Sequence, residues 1–242
     1  MSDRKEADVR RRLAVAAALL LVLCSGAVAS ADPTGRGKPD FVPVHRLGGT
    51  SGAELIGQWW ARVIAIPNAQ NPLGAGTAAL CLDLGRQGHV VAPVGTAQQD
   101  ATCTVHAGEK VYLQLTSADC SSNEPDPFHG DTEAEQRTCA IRWAPTGPVS
   151  AYTLSLDGGA AVNVLDERFF LVSPQLRSVF DATDPAFGAR PGPTTFVAAG
   201  YAATPRHLRP GQHVIAGQVV LSDGSPTVTF TITLNVVRGP QH

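Results

Sequence analysis

Written in steps of four, residues 51–67 fall into two apolar columns, Leu55/Trp59/Val63 and Ile56/Trp60/Ile64. The other two columns are the small residues Ala53/Gly57/Ala61/Ala65 and the polar residues Glu54/Gln58/Arg62. Only one column favours water, so the pattern predicts a helix that is buried on most of its circumference. Both of its ends carry signals. Ser51 and Glu54 match a capping box, and Pro67, with no N–H to donate, is placed to stop the helix. The small column would let a neighbouring backbone approach closely. Trp59 and Trp60 are accordingly expected in the structural core, plugging one side of a β-rich body.

Elsewhere the pattern is of short strands and turns. Phe41 to Leu47 reads as an edge strand, because Pro43 cannot donate to a ladder. Ala78–Leu82, His89–Val94, Ala101–Val105 and Lys110–Leu115 follow, separated by glycine turns at Gly88, Gly95 and Gly108. In the last of these, Val111, Leu113 and Leu115 alternate with Tyr112 and Gln114, as in a half-buried antiparallel strand. Thr132 with Glu135 makes a second capping box and predicts a short helix from Glu133 to Ile141. Beyond it, strands are read over Val149–Leu156, Ala161–Leu165, Arg168–Val172 and Thr194–Ala203, with 174–193 irregular and Phe180 and Phe187 plugging beneath a loop. His213–Leu221 and Thr227–Val237 form the clearest hairpin, with Val228, Phe230, Ile232 and Leu234 on one face. Strands recurring at such intervals predict an antiparallel β-sandwich or jelly-roll-like domain with one buried N-terminal helix and a short second helix.

The first 31 residues change the picture from fold to address. Arg4, Lys5 and Arg10–Arg12 precede the apolar run Leu13–Cys24, and small residues then lead to Ala31. This is the pattern of a signal peptide cleaved after Ala31, and its apolar run is shorter than the roughly 20 residues that span a bilayer. Residues 32–40 read as a flexible polar leader and 41–242 as one β domain, secreted or held at the cell surface, with no transmembrane segment after cleavage. Residues 1–31 hold five of the 19 Lys and Arg and three of the 21 Asp and Glu, so the remainder carries 14 against 18 and a formal charge of −4. With no basic cluster after Arg12, nucleic acid is excluded as a partner.

Cys81, Cys103, Cys120 and Cys139 remain after cleavage. An even count in an exported chain predicts two disulfides, and of the three connectivities the shortest loops favour Cys81–Cys103 and Cys120–Cys139. A zinc site would want C-x-x-C or paired His, which are absent. Between the last two cysteines lie five acids and one Arg. Glu124, Asp126, Asp131 and Glu133 are calcium-ligand candidates, since hard cations take several oxygens. Their spacing fits no calcium loop, however, and acids ahead of a helix N-terminus need no ion.

The order of features resembles a family of exported bacterial proteins without an assigned activity. The residues carrying the resemblance are Trp59-Trp60, Pro67, Asn71-Pro72, Cys81, the turn Gly85-Arg86-Gln87-Gly88, and Cys103 with Gly108. They continue with Cys120 and Cys139 around Glu133-Ala134-Glu135, and with Pro210-Gly211-Gln212-His213, so the likeness spans most of 48–237. It implies export, disulfides and an all-β body, and it supplies no reaction. Arg62 and His89-Val90-Val91 stand where such relatives are more aromatic.

No G-x-S-x-G elbow, H-E-x-x-H or P-loop is present. The isolated histidines His106, His129, His207 and His213 are candidate general bases because His titrates near neutrality. The sequence therefore points to a non-catalytic binding or structural protein with an extracellular ligand or cell-wall component as partner. The alternative is an extracellular hydrolase whose site lacks a linear motif.

Overall fold

The computed structural model describes residues 39–76, 78–86, 89–95, 100–144, 149–222 and 228–238. The signal peptide, most of the leader, Gln87–Gly88 of the glycine turn and the 223–225 turn lie outside the described residues. In chain order the elements begin with β1 (Phe41–Pro43), β2 (Arg46–Leu47), β3 (Thr50–Ser51) and α1 (Gly52–Ile64). Then come β4 (Leu80–Leu84), β5 (Val90–Val94), β6 (Ala101–His106), β7 (Lys110–Val111), β8 (Leu113–Ser121) and α2 (Glu133–Trp143). The rest is β9 (Val149–Leu156), β10 (Val162–Asn163), β11 (Phe170–Val172), β12 (Leu176–Phe180), β13 (Gly192–Pro205), β14 (Gly211–Leu221) and β15 (Val228–Val237), with single 3-10 turns before β11 and β13. The protein is mainly β, and among the described residues no helix is long and apolar enough to cross a membrane.

One five-stranded sheet is organised on β13. Strand β8 pairs along one side of it, and β12, β11 and β1 are laid end to end along the other, all antiparallel. A second sheet runs β10-β9-β14-β15-β6, and its last pairing is parallel, as is β5–β7 in a small β4-β5-β7 sheet. The expected antiparallel sandwich thus becomes a mixed one at two positions. Side chains alternate across β13 as a strand requires. Phe196, Ala198 and Ala202 join the core under α1, Val197 and Ala199 pack beneath α2, and Ala203 enters the core shared with the second sheet. Both faces are covered, which is why residues 196–199 are uniformly apolar.

Helix α1 starts as its capping box predicts: Ser51 Oγ accepts from Glu54 N–H, and the Glu54 carboxylate accepts from Ser51 N–H at 2.9 Å. It ends at Ile64, before Pro67, and the buried Asn71 side chain donates to the Val63 carbonyl at 2.8 Å, beside the bond that carbonyl accepts from Ile66 N–H. Along the small column, a Cβ on Gly57 would lie 2.1 Å from Leu176 Cδ1, so β12 packs there because no side chain intervenes. Ser178 Oγ donates to the Ala61 carbonyl from the same strand. Arg62 is exposed.

Three details depart from the sequence reading. Tyr112 is fully buried in the α1 core because the strand is covered on both sides, while Val111 and Leu113 face the other core. Residues 176–180 form β12 rather than an irregular loop, drawn into the edge of β13. Strand β8 continues to Ser121, six residues beyond the predicted end at Leu115, since β13 offers partners for that length. Both disulfides have the expected connectivity, Cys81–Cys103 and Cys120–Cys139.

Candidate functional site

The extension of β8 carries an acid into the interior. Asp119 sits opposite Ala198, and Cys120 opposite Val197, so the two neighbours point to opposite faces of the sheet. Cys120 is bonded to Cys139 on α2, while Asp119 faces the side packed by α1. At the end of β8 the chain doubles back. Phe128 N–H donates to the Pro125 carbonyl, Ser121 N–H to the Phe128 carbonyl and Gly130 N–H to the Ser121 carbonyl. Ser121 Oγ accepts from Glu124 N–H at 3.1 Å, which fixes Glu124 beside Asp119.

Asp119 is 3% exposed and Glu124 6%. Their carboxyls share a hydrogen bond. Burial, and then the negative charge of Glu124, drive the Asp119 pKa well above its ordinary value. Glu124 is pushed up to about 7, mainly by burial, against the lowering effect of bonds from Ser121 and Asp119. Burial therefore favours the protonated form of both acids. Asp119 Oδ2 and Glu124 Oε2 are fully buried.

These acids line a cavity of about 210 Å³ together with Trp60, Ser117, Phe128 and Phe187. Trp60 is 6% exposed and its indole Nε1–H is buried without a partner. Phe187 meets Trp60 edge-on with centroids 6.1 Å apart, and its backbone has φ +60°, a region unfavourable to a residue with a side chain. Two Asp residues hold that segment: Asp181 accepts from Thr183 and Asp184 N–H, and Asp184 from Ala69 N–H. Arg190, just beyond it, donates to the Ser122 carbonyl at 2.8 Å and so ties the Phe187 segment to the Glu124 loop. Two buried acids and a buried indole N–H without a partner around one cavity single it out as the candidate site, although Trp59 Nε1–H, which does not line it, is unpartnered as well.

The four calcium candidates are not brought together. Glu124 is in the buried pair, Asp131 bonds His129 at 3.1 Å, Glu133 pairs with Arg137 at 2.8 Å, and Asp126 is exposed. No group of three or more His, Cys, Asp or Glu among the described residues could hold a metal ion. The histidines also scatter. His129 bridges the Glu124 carbonyl and Asp131 at the edge of the acid loop. His213 bonds Asp157 at 2.7 Å and the Arg209 carbonyl at 2.8 Å, and the Asp157 bond raises its pKa and lowers that of Asp157. His106 and His207 border a separate cavity of about 370 Å³ whose polar side chains remain open to water. Asp119 had no signal of its own in the sequence beyond an acid immediately before a cysteine, and the paired role of Glu124 was invisible without it.

No family model matches the chain, and no curated protein matches it significantly. Among solved structures, the solution structure of amebosin aligns over 56% of this chain and 88% of its own at 14% identity, with a TM-score of 0.21. At that score the alignment carries no implication of a shared architecture.

Proposed function

We propose that this chain is exported by a signal peptide ending at Ala31, as in the bacterial family it resembles, and acts outside the cytoplasm as a binding protein. Its ligand site is the Trp60–Asp119–Glu124–Phe187 cavity, and an extracellular or cell-wall compound is the ligand. The observation that carries this reading is the buried Asp119–Glu124 pair beside the buried, unpartnered Trp60 indole N–H in the wall of one cavity. Two disulfides support an extracellular address, since such bonds persist in oxidising compartments. Calorimetry of the purified protein against cell-wall polymers, glycans and small metabolites should reveal saturable binding that Phe187→Ala weakens at least tenfold. Identical behaviour of wild type and variant across that panel would overturn the reading.

A hydrolytic role is the second reading. One observation favours it: two adjacent buried carboxyls whose pKa values are raised can give and take a proton in a single reaction. Turnover of an ester, glycoside or peptide that disappears in Asp119→Asn would establish it over simple binding.

A further inference from the structure

We propose that the cavity between Trp60, Phe128 and Phe187 receives a small organic cation, an alkylammonium group whose charge faces Glu124 and Asp119 while its carbon surface meets the three rings. The inference rests on the binding reading above and names the ligand class. Charge is the first argument. Asp119 and Glu124 are both buried in the cavity wall, so a charge on either is withdrawn from water, and a neutral ligand would leave it uncompensated while an anion would oppose it. Shape is the second. About 210 Å³ is small for a metabolite pocket and suits a head group of a few carbons. The walls are the third: aromatic faces beside a carboxylate form the environment that attracts ammonium groups. Trp60 Nε1–H, without a protein partner, would then take an oxygen carried by the same ligand.

The other charged groups near the loop are engaged elsewhere. Arg190 donates to the Ser122 carbonyl, and His129 bridges the Glu124 backbone carbonyl and the Asp131 carboxylate. Neither supplies the counter-charge through these bonds. A bound cation therefore favours ionised Glu124, and its arrival sends the Glu124 proton to the buffer.

Calorimetry with choline, tetramethylammonium and the neutral choline isostere 3,3-dimethylbutan-1-ol tests this on the wild-type protein. Choline should bind at least about tenfold more tightly than the isostere, and its affinity should rise about tenfold between about pH 6 and about pH 8 as Glu124 ionises. Glu124→Gln should abolish that pH dependence, and Phe128→Ala should weaken both cations with the pH dependence intact. Equal binding of choline and its isostere at both pH values overturns the cation assignment while leaving the cavity a binding site. Absence of saturable binding by either cation overturns it too; the broader reading fails separately, on the panel and Phe187→Ala comparison.

Discussion

Asp119 and Glu124 share a hydrogen bond across the junction where β8 turns into the acidic loop, so two buried acids meet in the wall of a cavity also lined by Trp60. That pairing sets a pH dependence of stability. Glu124 rises from 4.5 to about 7 on folding, so between those values the native state binds a proton that the unfolded chain releases. The stabilisation is complete below about pH 4.5 and is lost as pH rises through about 7. The melting temperature should fall across that window, and Glu124→Gln should make the fall shallower. Asp119 and His213, both raised, act in the same direction, so the comparison with the Gln variant isolates the share of Glu124. A wild-type melting temperature that climbs through the window would contradict the pairing.

Trp60 packs against Trp59 at 5.2 Å and against Phe187, with only 6% of its surface exposed. Trp60→Ala should cost about 3–5 kcal/mol in urea denaturation, the range for large aromatic truncations in cores. A loss below about 1 kcal/mol would show that α1 is not part of the core.

Asn71 is fully buried, donating to the Val63 carbonyl at the end of α1 and accepting from Leu73 N–H at 3.0 Å. Asn71→Ala leaves the Leu73 N–H without its partner, at a cost of about 1–3 kcal/mol in the buried limit, and takes one of two bonds from the Val63 carbonyl, which still accepts from Ile66 N–H. Asn71→Asp retains the acceptor and loses the donor, so its urea midpoint should also fall below that of wild type. Equal midpoints for all three proteins would remove Asn71 from the account of how α1 ends.

The disulfide Cys120–Cys139 ties β8 to α2 directly beside Asp119. Intact-mass analysis of purified residues 32–242 after alkylation without reduction should find no labelled thiol, and two labels would contradict the pairing. Replacing both cysteines of this pair by Ser should lower stability by about 2–5 kcal/mol, read as a shift in urea midpoint.

Much of this protein was legible in local chemistry. Both capping boxes operate as read, because a cap needs only residues three apart. The hairpin of β14 and β15 followed from alternation, and the cysteine pairing from loop length. The cavity was not legible, because every part of it depends on a distant partner. Strand β8 runs on to Ser121 only because β13 pairs with it, and that extra length turns Asp119 inward. Tyr112 lies in the core because α1 and the small sheet cover the face that alternation assigned to solvent. Glu124 looked like one of several loop acids suited to calcium, until the reversal at Pro125–Phe128 buried it against Asp119 and left Asp126 in water. Sequence determined both helices, the β14–β15 hairpin and which cysteines join, since short-range hydrogen bonding and loop closure govern those. Tertiary packing alone decided which acids leave water, because desolvation depends on what other segments bring to the same place.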